Sequence, residues 1–253
     1  MEVKQGTFLA QTRFYAAQAS EVVRKKGVGH LARMGLYWLA SPALAPVIRQ
    51  VKGRRTFQLD GRLYPYFIHR YNLTWRNERI VEIPVVWALV QRFQGKRILE
   101  VGNVLSHYHP VRHDVVDKYE RAPGVVNEDM VDFKAPGQYD LIVSISTIEH
   151  VGWDETPRDP GKVLRAVEAL KACLAPGGTL FVTIPLGYNA DLDEHLRAGR
   201  LTFPVERYLK RVSDDNRWAE VSREAVASAR YGHPFYAAND LLFGTYQKPG
   251  AGV

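Results

Sequence analysis

The residues most able to do chemistry fall in four clusters. In Arg97-Ile-Leu-Glu-Val-Gly-Asn103 an apolar run ends in an acid and a glycine turn. That pattern signals a nucleotide site, because a glycine without Cβ lets the backbone turn tightly and approach a ligand. Glu100 can accept from a cofactor's ammonium group or orient the loop. Asp117 lies 15 residues past Gly102 and Glu120 lies 18 past it, near the spacing at which an acid holds ribose hydroxyls in Rossmann-like folds. Asp117, which ends the next apolar run, is the better placed. The second cluster is Glu149-His150, after the apolar run Tyr139–Ser146. Imidazole titrates near neutrality, so His150 suits a general base, with Glu149 orienting it or binding a metal. A structural pair at a helix start is the competing reading.

The third cluster is His107-Tyr-His109 with His113. Its spacing matches no usual zinc framework and no second cysteine assists, so His107 is read as lining the cofactor loop. The fourth, Pro185-Leu-Gly-Tyr-Asn189 followed by Asp191, Asp193 and His195, offers an aromatic face and an amide suited to carbohydrate hydroxyls. Tyr188 and Asn189 are therefore substrate candidates. The two acids and His195 could chelate magnesium, hydrogen-bond a sugar or form a solvated loop.

Period and punctuation indicate what must position these groups. Short, mostly unalternating apolar runs at 98–101, 115–116, 125–126, 141–145 and 180–184 predict strands covered on both faces. A helix is expected from Glu82 to Phe93 with Pro84 in its first turn, and another over 160–174, stopped by Pro176-Gly-Gly. After Pro204 a helix to about Val212 is expected. A strand near Trp218–Val221 and a last one over 241–246, at the sheet's edge, complete a seven-stranded, mostly parallel Rossmann-like α/β sheet flanked by helices. Segments 147–160 and 186–202 read as long and irregular, where such folds place substrate sites. Residues 1–75 form a basic helical extension, helical over 8–52, with an aromatic connector; residues 76–250 form the α/β domain.

The chain has 253 residues and a net charge of +7. Residues 1–60 hold ten Lys/Arg against three acids, so the extension carries the whole excess and the remainder is neutral. That argues against a nucleic-acid cleft. One cysteine, Cys173, fits a reducing, cytoplasmic setting. Met34–Ile48 is apolar, too short to span a membrane and broken by Pro42 and Pro46. With its Arg and Lys flanks, residues 34–55 could lie on an anionic membrane surface or pack on the main domain. It lies too far along the chain to be a secretory signal.

Taken in order, Arg97–Asn103, His113–Lys118, Tyr139–Ser146 with Glu149-His150-Val, and Leu174-Ala-Pro-Gly-Gly-Thr-Leu resemble the class I S-adenosylmethionine-dependent methyltransferases, over about residues 78–248. Glu100–Tyr108 together with Pro185–Asn189 is similar to members associated with sugar and polysaccharide modification. The resemblance implies S-adenosylmethionine as cofactor, held by Glu100, Gly102, Asn103, Asp117, Lys118, Asp129, Met130 and Ser146. Asp129 would accept from the adenine amino group and Met130 would line the ring. Arg79, at the start of the helix that also holds Glu82, would meet the carboxylate or remain an exposed helix-start charge. Tyr71 and His107 join the substrate candidates. The family's later glycines are replaced by Val104 and Ser106, and Pro110 limits the helix after the first strand. A phosphate thereby loses its usual helix N-terminus, whereas S-adenosylmethionine needs none. The implied activity is O-methylation of a sugar or glycan hydroxyl, with His150 as base beside the methyl position. A small aromatic or lipid-like acceptor, a nucleic-acid-binding relative and a catalytically silent scaffold are the alternatives.

Overall fold

A computed structural model describes residue 43 and residues 45–250. By its contacts the chain divides into Met1–Val47 and Ile48–Val253. The helix expected over 8–52 lies outside the described residues except for its end, where 45–52 are helical. Most of the apolar segment at 34–48 also lies outside them.

After the helical residues 48–52, the second unit continues with a hairpin, β1 (Thr56–Leu59) and β2 (Arg62–Pro65), turned at Asp60-Gly61 with both residues at positive φ. Its inner residues Phe57 and Leu59 are buried. A 3₁₀ segment (Tyr71–Arg76) then leads to α1 (Arg79–Arg92). This helix starts three residues earlier than the sequence suggests, because the Asn77 side chain accepts from the Arg79 N–H (3.1 Å) and so supplies the start. Pro84 consequently sits in the helix interior. It cannot bond to the Ile80 carbonyl, and that carbonyl accepts from the Phe67 N–H instead (2.9 Å). The defect in the helix thereby fastens the aromatic connector.

The main sheet has eight strands in the order β5-β4-β3-β6-β7-β10-β8-β9. They are β3 (Ile98–Val101), β4 (Asp114–Val116), β5 (Val125–Val126), β6 (Tyr139–Ile145), β7 (Leu174–Pro185), β8 (Val205–Arg211), β9 (Trp218–Val221) and β10 (Asp240–Gln247). Strands β3 to β7 run parallel; β10 is antiparallel to both β7 and β8, and β9 to β8. This is the expected mostly parallel α/β sheet, with eight strands rather than seven, and two corrections account for the difference in count and order. Residues 205–211 form a strand rather than a helix: the charged run Val-Glu-Arg-Tyr-Leu-Lys-Arg has no strong strand signal, but β10 and β9 pair with both its edges. The last strand consequently lies inside the sheet, and β9 forms the edge.

Both faces are covered. On β6, Leu141, Val143 and Ile145 pack with Ile83, Val86 and Val90 of α1, while Ile142 packs with Val163, Val167 and Leu170 of α2 (Lys162–Ala172). The period-two alternation of a strand between two apolar layers leaves no polar face to show in the sequence. The segment 186–202 is not irregular throughout: it contains α3 (Ala190–Arg197), whose Leu192 and Leu196 join the α2 side of the core.

Candidate functional site

The carboxyl ends of β3, β4, β6 and β7 converge, and the polar residues among them form four groups. At β3, Gly102 turns the chain with φ +86°. A Cβ added there would lie 2.2 Å from Thr147 Oγ1, so only glycine lets the β3 and β6 ends approach so closely. The expected stunted helix is a single 3₁₀ turn, Leu105–His107. Glu100 is fully buried. Its Oε1 accepts from the N–H groups of Val104 (2.9 Å) and Leu105 (2.7 Å), and its Oε2 from His113 Nε2 (2.7 Å). Of the two roles open to Glu100, the geometry realises loop orientation. The same carboxylate fills the amide cradle in which a phosphate would sit, so the turn suits a ligand without phosphate.

Asp117 and Glu120 face this loop from the end of β4. Asp117 Oδ2 accepts from the Asn103 N–H (3.1 Å), and its Oδ1 accepts from Tyr119 and Glu120 N–H. Glu120 takes Asn103 Nδ2 (2.8 Å) and pairs with His107 (3.1 Å), on whose ring Tyr71 stacks at 4.4 Å. Asn103, Asp117, His107 and Tyr71 therefore share one rim. Gly102 and the exposed edges of these acids form a cradle that could hold a nucleoside's ribose.

A buried polar network links α1 to the strand ends. Glu82, wholly inaccessible, accepts from Ser146 Oγ (2.5 Å) and Thr183 Oγ1 (2.6 Å) on Oε1 and pairs with Arg79 through Oε2. Burial opposes the charge of Arg79, yet Glu82 and Glu78 hold its pKa above the ordinary value. Arg79 is thus an internal, paired cation rather than an exposed helix-start charge. Ser146, at φ +40°, marks the sharp turn leaving β6.

Beyond that turn lie Glu149 and His150. Glu149 is 2% exposed and its Oε2 has no hydrogen-bond partner. Burial raises its pKa to about 7, against the lowering influence of His150. His150 is half exposed, and its Nδ1 lies 2.5 Å from Asp154 Oδ2. Tyr188 donates to the same oxygen at 2.8 Å. Glu149 Oε1 stands 3.7 Å from the other ring nitrogen, Nε2. The orienting acid is therefore Asp154, which the turn after the 3₁₀ segment Ile148–His150 brings back to the histidine, its N–H donating to the His150 carbonyl (3.1 Å), rather than the sequence neighbour Glu149. Burial works against a charged His150, but the bond to Asp154 and the field of Glu149 raise its pKa overall. With Nδ1 donating to Asp154, Nε2 keeps its lone pair free to accept a proton.

Tyr188 packs edge-on to His150 (4.8 Å) and to Tyr231 (5.1 Å). Tyr231 carries no local signal in the sequence. It arrives on the segment before β10, which crosses Gly187 so closely that a Cβ there would lie 2.7 Å from the Tyr231 nitrogen. Asn189 is buried and does not share this wall. Its Oδ1 caps α3 through the Asp191 and Leu192 N–H groups, and its Nδ2 donates to the Glu149 carbonyl.

The outermost group is a square of charges. Lys118 and Lys162 each reach both Asp129 and Glu155, at 2.8 and 3.2 Å from Lys118 and 2.5 and 2.6 Å from Lys162. Burial would raise the Asp129 pKa, but the two lysines bring it down to about 2. Met130 is buried in the core on the α2 side.

The residues considered for metal binding point to separate partners. His107 pairs with Glu120, His109 stacks on Trp87 at 4.0 Å, and His113 bonds to Glu100. Asp191 pairs with Arg158, Asp193 accepts from the Gly187 N–H, and His195 bonds to the Pro160 carbonyl. Among the described residues no three His, Cys, Asp or Glu side chains are arranged to hold a metal ion, which removes the geometric basis for magnesium at Asp191, Asp193 and His195.

A family model described as "Methyltransferase domain" matches residues 77–220, more than half of the chain, and spans every group just described except Tyr231 and Tyr71. The chain belongs to the methyltransferase-domain family. A search of curated proteins found no match. Among solved structures, the methyltransferase domain is similar to the N-methyltransferase NodS from Bradyrhizobium japonicum WM9 in complex with S-adenosyl-L-homocysteine. That pair shares 16% identity, covers 64% of this chain and 85% of the other, and has a TM-score of 0.40. A SAM-dependent methyltransferase from Archaeoglobus fulgidus is 14% identical, with coverage of 70% and 98% and a TM-score of 0.43. The sugar N-methyltransferase KedS8 from Streptoalloteichus sp ATCC 53650 is 15% identical, with coverage of 66% and 87% and a TM-score of 0.34.

Proposed function

We propose that this chain is an S-adenosylmethionine-dependent O-methyltransferase that acts on a hydroxyl of a sugar or glycan precursor, with His150 as general base. The observation that carries the reading is the His150 Nδ1–Asp154 contact of 2.5 Å, which fixes the tautomer and leaves Nε2 to take a proton. When bound, S-adenosylmethionine supplies an electrophilic methyl group on a sulfonium centre. The phosphate-free character of the β3 turn fits such a nucleoside: Gly102 gives the close backbone approach, and Asp117, with Glu120, offers carboxylate edges to ribose hydroxyls. Asp129 and Lys118 stand at the adenine end, while Arg79 and Ser146 lie where the strand ends meet α1.

Transfer is an in-line displacement in which alignment supplies much of the rate. On the acceptor side, Tyr188 and Tyr231 offer ring edges and faces for a sugar, and His150 Nε2 removes the hydroxyl proton as the new bond forms. The direct test is mass-spectrometric detection of an O-methyl product and S-adenosylhomocysteine from S-adenosylmethionine and a panel of soluble glycosides. Methylation confined to nitrogen, or no binding of S-adenosylhomocysteine, would overturn the reading.

Two further outcomes follow from the geometry. Gly102→Ala is expected to weaken S-adenosylhomocysteine binding on the order of tenfold in calorimetry, because the added Cβ, 2.2 Å from Thr147 Oγ1, pushes the turn out of the position that faces the ligand. It should also cost roughly 1–2 kcal/mol of stability from the left-handed alanine. The pH profile of kcat/KM should have an acid limb above the ordinary histidine pKa of about 6.5. His150 acts as neutral imidazole and its pKa is raised, so activity is lost as pH falls through that raised value. In Asp154→Asn the limb should move to lower pH while the plateau drops; an unmoved limb would remove His150 as the titrating base.

Contact with an anionic membrane surface through residues 34–55 stands as a second proposal. In the described part, Val47 and Val51, one helical turn apart, are exposed among Arg49, Arg54 and Arg55. No helix of the described residues is long and apolar enough to cross a membrane. Flotation with phosphatidylserine vesicles, but not with neutral ones, would support it.

A further inference from the structure

Residues 151–160 connect the two ends of the site through adjacent side chains. Asp154 turns toward His150 and Tyr188, whereas Glu155 turns toward Lys118 and Lys162. The turn between them is closed on itself. Asp159 N–H donates to the Gly152 carbonyl (2.9 Å), Gly152 N–H donates to Glu155 Oε1 (3.4 Å), and a Cβ on Gly152 would lie 2.2 Å from the Asp159 oxygen. Such a turn has little freedom to let Asp154 and Glu155 move separately. Each lysine of the square also holds Asp129, so Glu155 is tied to the loop after β5, to the end of β4 and to the first turn of α2.

We propose that Glu155 is a positioning residue for the base: through the Lys118–Asp129–Lys162 square it fixes the turn carrying Asp154, and Asp154 in turn fixes His150. This inference rests on the reading of Asp129 as the donor's adenine contact and of His150 as base. It deepens that reading by making the donor end of the site set the alignment of the acceptor's base. An adenine amino group donating to Asp129 shares that carboxylate with the lysines, and the lysines then lean more on Glu155. The base is held best when the donor is in place, which favours donor binding before productive acceptor binding.

The experiment is a titration of the His150 imidazole by NMR in the wild-type full chain and in Glu155→Gln, with and without S-adenosylhomocysteine, alongside steady-state kinetics. In Glu155→Gln the His150 midpoint is expected to fall, because Asp154 no longer holds Nδ1 firmly, and kcat to fall on the order of tenfold. On an Asp154→Asn background, Glu155→Gln should cost nothing more, since a residue acting through Asp154 has nothing left to act on. Lys162→Met opens the square from α2 and should lower the midpoint in the same direction, which keeps the test available if Glu155→Gln folds poorly. An unchanged midpoint in both variants, or losses in kcat that multiply across the double variant, would overturn the proposal. Failure of the wild-type protein to bind S-adenosylhomocysteine would instead sink the donor reading, and the ligand-free titration would still decide whether Glu155 positions the base.

Discussion

His150→Ala is expected to lower kcat by about 10²–10⁴-fold while leaving S-adenosylhomocysteine affinity close to wild type. The size follows from what the substitution removes. A neutral hydroxyl is a poor nucleophile until its proton leaves, and among the described residues no other free base stands in the same place. Glu149 is 2% exposed, with its unpartnered oxygen turned away from solvent. Asp154 is held below the ordinary carboxylate range; burial pushes its pKa up, but the bonds from His150 and Tyr188 outweigh it. Without His150, Asp154 keeps the Tyr188 hydroxyl as its partner among the described side chains. Gly102, Asn103 and Asp117, the residues proposed to hold the donor, make no hydrogen bond to His150, so donor binding should survive. His150→Gln, which can accept a hydrogen bond but not a proton at neutral pH, should be nearly as slow as the alanine variant. Isothermal titration with S-adenosylhomocysteine and single-turnover methyl transfer measure the two quantities separately. Full activity in His150→Ala would end the assignment of the base, and loss of donor binding would make His150 part of the cradle.

The same residues show where the sequence is legible. The strand at Ile98–Val101, its glycine turn and the acid ending β4 are local patterns: each needs only a few neighbours to identify it, and the sheet places them as expected. What stays hidden depends on partners far along the chain. Val205–Arg211 looks helical because its charges suit an exposed helix, yet it is a strand because β9 and β10 take both its edges. Tyr231 packs against Tyr188 only because residues 229–231 cross the bare backbone of Gly187. Asn189 has a local signal that can be read two ways. An amide beside a tyrosine suits a sugar, but an asparagine just before a helix is a cap, and recognising residues 190–197 as helical decides for the cap. Asp154 carries no such local signal: the sequence points to Glu149 as the partner of His150, and only the turn over 151–154, whose Asp154 N–H bonds to the His150 carbonyl, brings Asp154 to the ring.

Glu82 illustrates the opposite limit, an acid whose importance is set entirely by burial, and Glu82→Ala should be the most destabilising single truncation in the site. The carboxylate is inaccessible and satisfies three groups at once: the Arg79 guanidinium, Ser146 Oγ and Thr183 Oγ1. Its removal deprives the largely buried Arg79 of its ion-pair partner, leaving it the field of Glu78, and takes the acceptor from two buried hydroxyls. Breaking a buried ion pair by deleting one partner costs about 3–5 kcal/mol, and for a domain of this size each kcal/mol lowers Tm by roughly 2–4 °C. A fall of roughly 10 °C is therefore expected in calorimetry. Glu82→Gln keeps an acceptor for the hydroxyls while losing the charge that answers Arg79, so it should fall between wild type and alanine. Glu168, paired on the surface with Lys171 and 70% exposed, provides the contrast, because an exposed pair in water is screened and contributes little. Glu168→Ala should leave Tm almost unchanged. If Glu82→Ala behaved like Glu168→Ala, the network would not be what holds α1 against the ends of β6 and β7. If only Glu82→Ala melts early, and Arg79→Ala restores part of the loss by removing the stranded cation, then the cost lies in the unpaired charge. The same comparison would show why a carboxylate sits in the core at all: it fixes Arg79 and Ser146 at the meeting point of helix and strand ends, which an apolar side chain of equal volume would leave unanchored.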